Sequence, residues 1–168
     1  MLDQLAPHFL PNYGHTVVKA PNIQSLSRGA VTFDNAYTNS PLCVPARASF
    51  FTGQLPSTIG VFDTGSELPA SIPTLGHYLR RAGYATCLSG KCHFIGPDQM
   101  HGFEQRLTSD MCPSDFSMSG NWDIGETPLG FFHTLENVKT AGVAERSTQQ
   151  DHDEETIHQA KQWLYNWV

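Results

Sequence analysis

The sequence predicts an α/β fold, and two observations carry that prediction. Residues 71–88 read as a helix, a glycine and a strand in succession, and the polar loop Ser89-Gly90-Lys91-Cys92-His93 lies just beyond the strand. Proteins of this class repeat that order and bind ligands outside the carboxyl ends of their strands. An alternation over Val31–Tyr37 then leads into a second loop and helix, Pro41–Gly53, in the same manner. A chain of 168 residues with 39% hydrophobic content is long enough to bury a core of its own.

In chain order, residues 6–20 read as loop, because Pro7, Pro11, Asn12 and Gly14 interrupt any periodicity. Pro21–Leu26 is a short helix with Ile23 and Leu26 on one face and Gly29 beyond its end. Val31, Phe33 and Asn35 alternate with Thr32, Asp34 and Ala36, which predicts a strand. Ala46–Phe51 is a helix-compatible run that Gly53 closes, and residues 60–69 form a Gly- and acid-bearing loop. Ser71-Ile72-Pro73-Thr74 opens a helix with the stripe Ile72, Leu75, Tyr78 and Leu79; Arg80 and Arg81 stand in its last turn and Gly83 caps it. Tyr84–Leu88 is a strand. Residues 96–142 are rich in Gly, Pro, Ser and Asn and read as irregular covering. Residues 151–168 form a helix capped by Asp151 or Asp153, with Ile157, Ala160, Leu164 and Trp167 or Val168 as its apolar stripe.

The chemistry concentrates in PLCVPARASFFTG, residues 41–53. Pro45 is tolerated in a first helical turn, where its missing N–H is an orphan in any case. Cys43 then stands at a helix N-terminus, where free N–H groups and the positive end of the dipole favour an anion. Arg47 lies one turn on, on the same face, and presents a planar fork to an oxyanion. Taken alone, Cys43 reads as a small buried hydrophobe and Arg47 as a solvated helix charge.

Cys43-Val44-Pro45-Ala46-Arg47 resembles the C-x-P-(S/A)-R signature of the sulfatase family. The runs NAYTNSPLCVPARASFFTGQLPS and YLRRAGYATCLSGKCHFIGPDQMHGFEQRLTSD are similar to the bacterial choline-sulfatase branch of that family. The resemblance covers nearly the whole chain and is densest from Asn35 to Asp110. It implies an alkaline-phosphatase-like sandwich whose mixed, mostly parallel sheet is flanked by helices. It also implies that residues 1–168 are the N-terminal part of a sulfatase catalytic domain, truncated at both ends and inactive alone. Met1–Leu5 then reads as the end of the family's first strand.

What the resemblance implies for the site is specific. Cys43 is converted to formylglycine by a formylglycine-generating or equivalent maturation enzyme. One hydroxyl of the hydrated aldehyde attacks sulfur, the alcohol leaves, and the second hydroxyl is deprotonated to expel sulfate. Asp3, Gln4 and position 43 hold Ca2+ (or Mg2+ or Mn2+), for which carboxylate and amide oxygens are suitable donors. Arg47, Lys91 and His93 bring positive charge and hydrogen bonds to the developing oxyanion. Asp3, Cys43, Lys91 and His93 would share one sheet edge. Without the resemblance, Asp3 and Gln4 read as a frayed terminus, Lys91 as a surface lysine and His93 as a structural histidine.

The substrate implied is a small sulfate ester, choline sulfate first. A quaternary ammonium group calls for an aromatic or acidic cage, for which Trp122, Phe131, Phe132 and His133 are candidates. In one place the chain departs from the branch: Asp115-Phe116-Ser117-Met118 has methionine where tryptophan is usual, and methionine offers no ring face. A phosphonate or phosphate ester is the alternative substrate within the same superfamily.

Charge and composition narrow the field further. A net charge of −6 and the lack of a Lys/Arg run argue against nucleic acid. No apolar stretch approaches the ~20 residues that span a bilayer. Cys43, Cys87, Cys92 and Cys112 lack the spacing of a disulfide framework, which suggests a reducing, cytoplasmic setting. With His93 and His101 they are also too irregularly spaced for structural zinc. A homo-oligomer is compatible with the longer relatives.

Overall fold

The computed structural model describes residues 1–111, 116–119, 123 and 136–167. The chain divides into two compact units, Met1–Tyr37 and Thr38–Val168.

The first unit is built from local signals. Two single-turn 3-10 helices, Pro7–Phe9 and Pro11–Tyr13, and the helix α1 (Pro21–Ser27) all begin with proline, whose fixed φ is preorganised for a first turn. Gly14 ends the second at φ 92°, in the left-handed region. The Tyr13 hydroxyl donates to the Phe33 carbonyl at 2.8 Å and ties the unit's end to its start. The strand expected over Val31–Tyr37 does not form: the segment bends at Asp34 and Asn35, and Val31, Phe33 and Tyr37 are exposed. Alternation supplies a face, but a strand exists only through a hydrogen-bonded neighbour, and no described residue pairs with it. Residues 1–5, expected as a strand end, are an exposed turn at Asp3 and Gln4.

The second unit holds the core. The helix α2 (Cys43–Thr52) starts at Cys43 itself, has Leu42 as its N-cap, and ends at Gly53 with φ 70°. A short helix, α3 (Pro56–Ile59), follows. Then comes α4 (Leu75–Arg81), where Thr74 is the cap and exchanges hydrogen bonds with His77 in a capping box. The helix expected from Ser71 therefore begins four residues later, and Ile72 packs on the core from the preceding loop. Of the strand expected over Tyr84–Leu88, only β1 (Cys87–Leu88) is paired. Its partner is β2 (Gln105–Arg106), parallel and in register Cys87 with Gln105; composition had hidden this partner within an irregular stretch.

Val44, Ala48, Ile59, Val61, Leu68, Leu88, Phe94, Ile95 and Phe103 fill the core. Phe51 stands edge-on to Phe103 at 5.8 Å and tilted to Phe94 at 5.1 Å, geometries that aromatic quadrupoles favour. Gly76 lets α4 approach this cluster: a Cβ there would lie 2.6 Å from the Phe103 ring.

After the one-turn helix α5 (Glu136–Lys139), α6 (Thr148–Tyr165) runs along the β1–β2 edge. Its cap is Ser147, reciprocated by Gln150, and not Asp151 or Asp153. A serine hydroxyl at this position receives the Gln150 N–H while the Gln150 side chain returns to the cap, which satisfies two orphan donors at once. Its expected apolar stripe faces outward: Ile157, Leu164 and Trp167 are exposed, and Ala160 is half-buried. The inner face is His152, Thr156, Gln159 and Trp163, which docks through hydrogen bonds. The Ser89 hydroxyl donates to the Thr156 carbonyl at 2.8 Å, and the Trp163 indole N–H to Gln105 Oε1 at 3.0 Å. His152 Nε2 lies 3.1 Å from the Ser109 carbonyl. No helix among the described residues is long and apolar enough to cross a membrane.

Candidate active site

Cys43 is the first residue of α2 and is half-buried. The N-cap residue Leu42 makes no side-chain cap bond, and the positive dipole end at Cys43 favours an anion. The loop after β1 comes to meet it. Lys91 Nζ lies 3.5 Å from Cys43 Sγ, joining two motifs 48 residues apart.

Arg47 is buried at 7% exposure, and its Nη1 donates to the Lys91 carbonyl. It is therefore no solvated helix charge: from one turn below Cys43 it grips the backbone of the residue that reaches the sulfur. His93 is likewise buried, at 5% exposure, and holds a left-handed φ of 59°. Non-glycine residues in that region cluster at functional sites, where the surroundings over-determine them.

Those surroundings include residues that the sequence reading missed. Asp110 accepts the Cys92 N–H at 2.7 Å and the His93 N–H at 3.1 Å. Arg106 forms an ion pair with Asp110 and donates to Gln99 Oε1 at 2.6 Å. The Thr108 hydroxyl takes the Gly90 N–H at 2.6 Å. The polar run Thr108-Ser109-Asp110, just past β2 at a strand's carboxyl end, is the signal that could have found them. Beside His93, an open depression of about 800 Å³ is lined by Gln99, Arg106, Thr108, Ser109, Asp110 and Glu155; neither Cys43 nor Lys91 lines it.

The other cysteines have different surroundings. Cys92 is buried, and that burial pushes its thiol up to about 11; burial raises Cys87 as well. Both are thereby kept as neutral, unreactive thiols at ordinary pH. Cys112 lies outside the described residues, as do Trp122, Phe131, Phe132 and His133. Phe116–Met118 forms a single 3-10 turn, after which the Ser119 hydroxyl donates to the buried Asp63 at 2.8 Å.

Asp3 and Gln4 belong to the first unit, on an exposed turn where Gln4 has φ 51°. Among the described residues no group of three or more His, Cys, Asp or Glu side chains could hold a metal ion. Two oxygen donors are fewer than the roughly six to eight that calcium takes. Asp3 and Gln4 would therefore be only part of such a site.

Comparison with known proteins shows the family. The family model described as Sulfatase matches residues 1–166. The chain is 49% identical over 166 residues to the choline-sulfatase of Rhizobium meliloti (strain 1021), covering 98% of this chain and 32% of the relative. It thus spans about a third of that relative's length. A protein solved with its substrate D-glucosamine-2-N,6-O-disulfate superposes with TM-score 0.53 and 31% identity, over 58% of this chain and 19% of the other. A 2-O GAG sulfatase superposes with TM-score 0.52 and 27% identity, over 66% and 26%. The α/β, alkaline-phosphatase-like class expected from the sequence is the class of these neighbours. With the family match spanning both motifs, the chain belongs to the sulfatase family.

Proposed function

We propose that the protein carrying this chain hydrolyses sulfate monoesters, with choline sulfate as its substrate and Cys43, matured to formylglycine, as its nucleophilic position. The observation behind this reading is the convergence at the start of α2: Lys91 Nζ stands 3.5 Å from Cys43 Sγ, above a helix end without a side-chain cap. A sulfate monoester is an anion, and the dipole end, the Lys91 ammonium and the nearby Arg47 guanidinium together favour an anion at this point.

Formylglycine at position 43 would supply a hydrated aldehyde oxygen as the nucleophile. The chain's own residues do the rest of the work available here. Lys91 would bind a sulfuryl oxygen and hold charge as it grows. Arg47 would keep the Lys91 backbone, and with it the ammonium, at a fixed distance from position 43. His93 would add a hydrogen bond to the formylglycine oxygen or a sulfuryl oxygen as charge develops. Preorganised donors of this kind are each worth on the order of a hundredfold in rate. Asp3 and Gln4 would contribute oxygen donors to Ca2+ or Mg2+, completed by ligands outside the described residues.

Choline as substrate rests on the 49% identity to a choline-sulfatase. The expected setting is the cytoplasm, and the expected partner is a maturation enzyme that oxidises Cys43. The test is co-expression with a formylglycine-generating system, followed by intact and peptide mass. A loss of about 18 Da at Cys43 is expected, with sulfate released from choline sulfate in preference to aryl sulfates. An unmodified thiol, or release of phosphate but not sulfate from matched esters, would overturn the reading.

A further inference from the structure

We infer that Asp110 is a positioning residue: its carboxylate sets the backbone of the Gly90–His93 loop and so decides where the Lys91 ammonium stands against position 43. The inference deepens the proposed function and rests on it for its kinetic consequence. Its geometric content stands separately.

The loop belongs to neither strand nor helix, so no ladder dictates its path. It also runs through two left-handed residues, Gly90 at φ 90° and His93 at φ 59°. Glycine adopts that region readily, but histidine does so only when held. Asp110 does the holding. Oδ1 accepts the Cys92 N–H at 2.7 Å and the His93 N–H at 3.1 Å, and Oδ2 lies 3.1 Å from the same His93 nitrogen. One carboxylate thus fixes two consecutive peptide planes.

The carboxylate is itself immobilised. Its side chain is 8% exposed and is paired with Arg106, at 14%. The Arg106 guanidinium is spread over three further acceptors: Thr108 O at 3.2 Å, Gln99 O at 3.2 Å and Gln99 Oε1 at 2.6 Å. Thr108, two residues before Asp110, takes the Gly90 N–H. Lys91 therefore sits between two anchored neighbours, Gly90 on Thr108 and Cys92 on Asp110, while its carbonyl is held by Arg47. With the backbone pinned on both sides, the Cα–Cβ bond of Lys91 starts from a fixed point, and from there its ammonium stands 3.5 Å from Cys43 Sγ.

Had Asp110 served only to neutralise Arg106, neither of its oxygens would need to face the loop. Replacing it by asparagine keeps the shape but removes the charge, leaving one oxygen for two N–H donors and Arg106. The loop then relaxes and Lys91 leaves position 43. Misplacement of that order costs about a hundredfold in kcat, with KM changed little.

The test uses unmatured protein, in which Cys43 is still a thiol, and formaldehyde as a one-carbon bridge between that thiol and the Lys91 amine. Peptide mass reads the bridge. Wild type should form it, Asp110→Asn should lose most of it while keeping its circular dichroism, and Arg146→Gln, a change at an exposed ion pair, should match wild type. If Asp110→Asn fails to fold, Arg106→Gln decides, since it leaves the carboxylate but frees it to swing. A folded Asp110→Asn with wild-type bridging would overturn the inference, as would the lack of any bridge in wild type. If wild type bridges, Asp110→Asn does not, and the matured protein hydrolyses no sulfate ester, the functional reading fails and the positioning role stands.

Discussion

Residues 1–37 and residues 43–110 are built on different principles. The first segment has three short helices, each begun by a proline, and not one buried residue. The second has the same punctuation, with Gly53, Gly60 and Gly83 all in the left-handed region after helices, but adds a core in which Val61, Ile95 and Thr74 are almost wholly buried. The difference teaches what local signals can and cannot do. They suffice to start and stop helices, while a fixed relation between side chains far apart in sequence, such as Lys91 and Cys43, comes with burial and captured polar groups.

The largest expected break in that comparison is Ile95→Ala. Ile95 is 1% exposed at the centre of the core, and the cavity should cost about 2–5 kcal/mol in chemical denaturation. A loss under about 1 kcal/mol would mean that the core is looser than its burial implies. Next comes Gly90→Ala, which forces a Cβ to 2.9 Å from the Thr156 methyl at a φ of 90°. It should cost about 1–3 kcal/mol and push α6 off the site loop. Thr156→Ser should recover part of that loss by removing the methyl, but leave the strain of the backbone.

A pH-dependent effect sharpens the comparison further. His101 is fully buried; burial lowers its pKa from 6.5, and the nearby Asp98 carboxylate only partly offsets this. The folded state therefore favours neutral imidazole relative to the unfolded chain. The stability this contributes is complete above about pH 6.5 and is lost as pH falls through the lower folded value. Asp98 adds a second step. Burial raises its carboxyl, but the N–H groups of His101 and Met100 outweigh that and hold it below 3.8, so its contribution disappears below that pH. Melting temperature should fall from pH 7 to pH 5 in wild type and much less in His101→Phe. Equal slopes would remove His101 as the source. The smallest effect is expected for Leu26→Ser, at 75% exposure in the first segment: within about 0.5 kcal/mol of wild type.

Much of the site was legible because it was written in neighbouring residues. Pro45 marks the first turn of α2 and Gly53 its end, Thr74 and Gly83 bracket α4, and the order helix, glycine, strand, polar loop marks a strand's carboxyl end. The misses share one cause. Val31–Tyr37 alternates like a strand but has no described partner, and Gln105–Arg106 reads as loop but has one. In α6 the apolar positions form a proper stripe, but the helix docks by Thr156 and Trp163 because Gly90 and Gln105 offer a close approach and an acceptor there.

By itself, then, the sequence determined the family, the class of fold, the placement of Cys43 at a helix start and the pairing of its motif with Gly90-Lys91-Cys92-His93. Each depends on residue types at short spacing within a motif, or on the order of the two motifs along the chain, which can be read before any contact is known. Only the tertiary structure decided that Lys91 meets Cys43, that Arg47 grips the loop from below, and that Asp110 with Arg106 holds His93 in a conformation it would not choose. Those are relations across 17 to 48 residues. They exist because burial brings the groups together and leaves each polar atom to find its partner there.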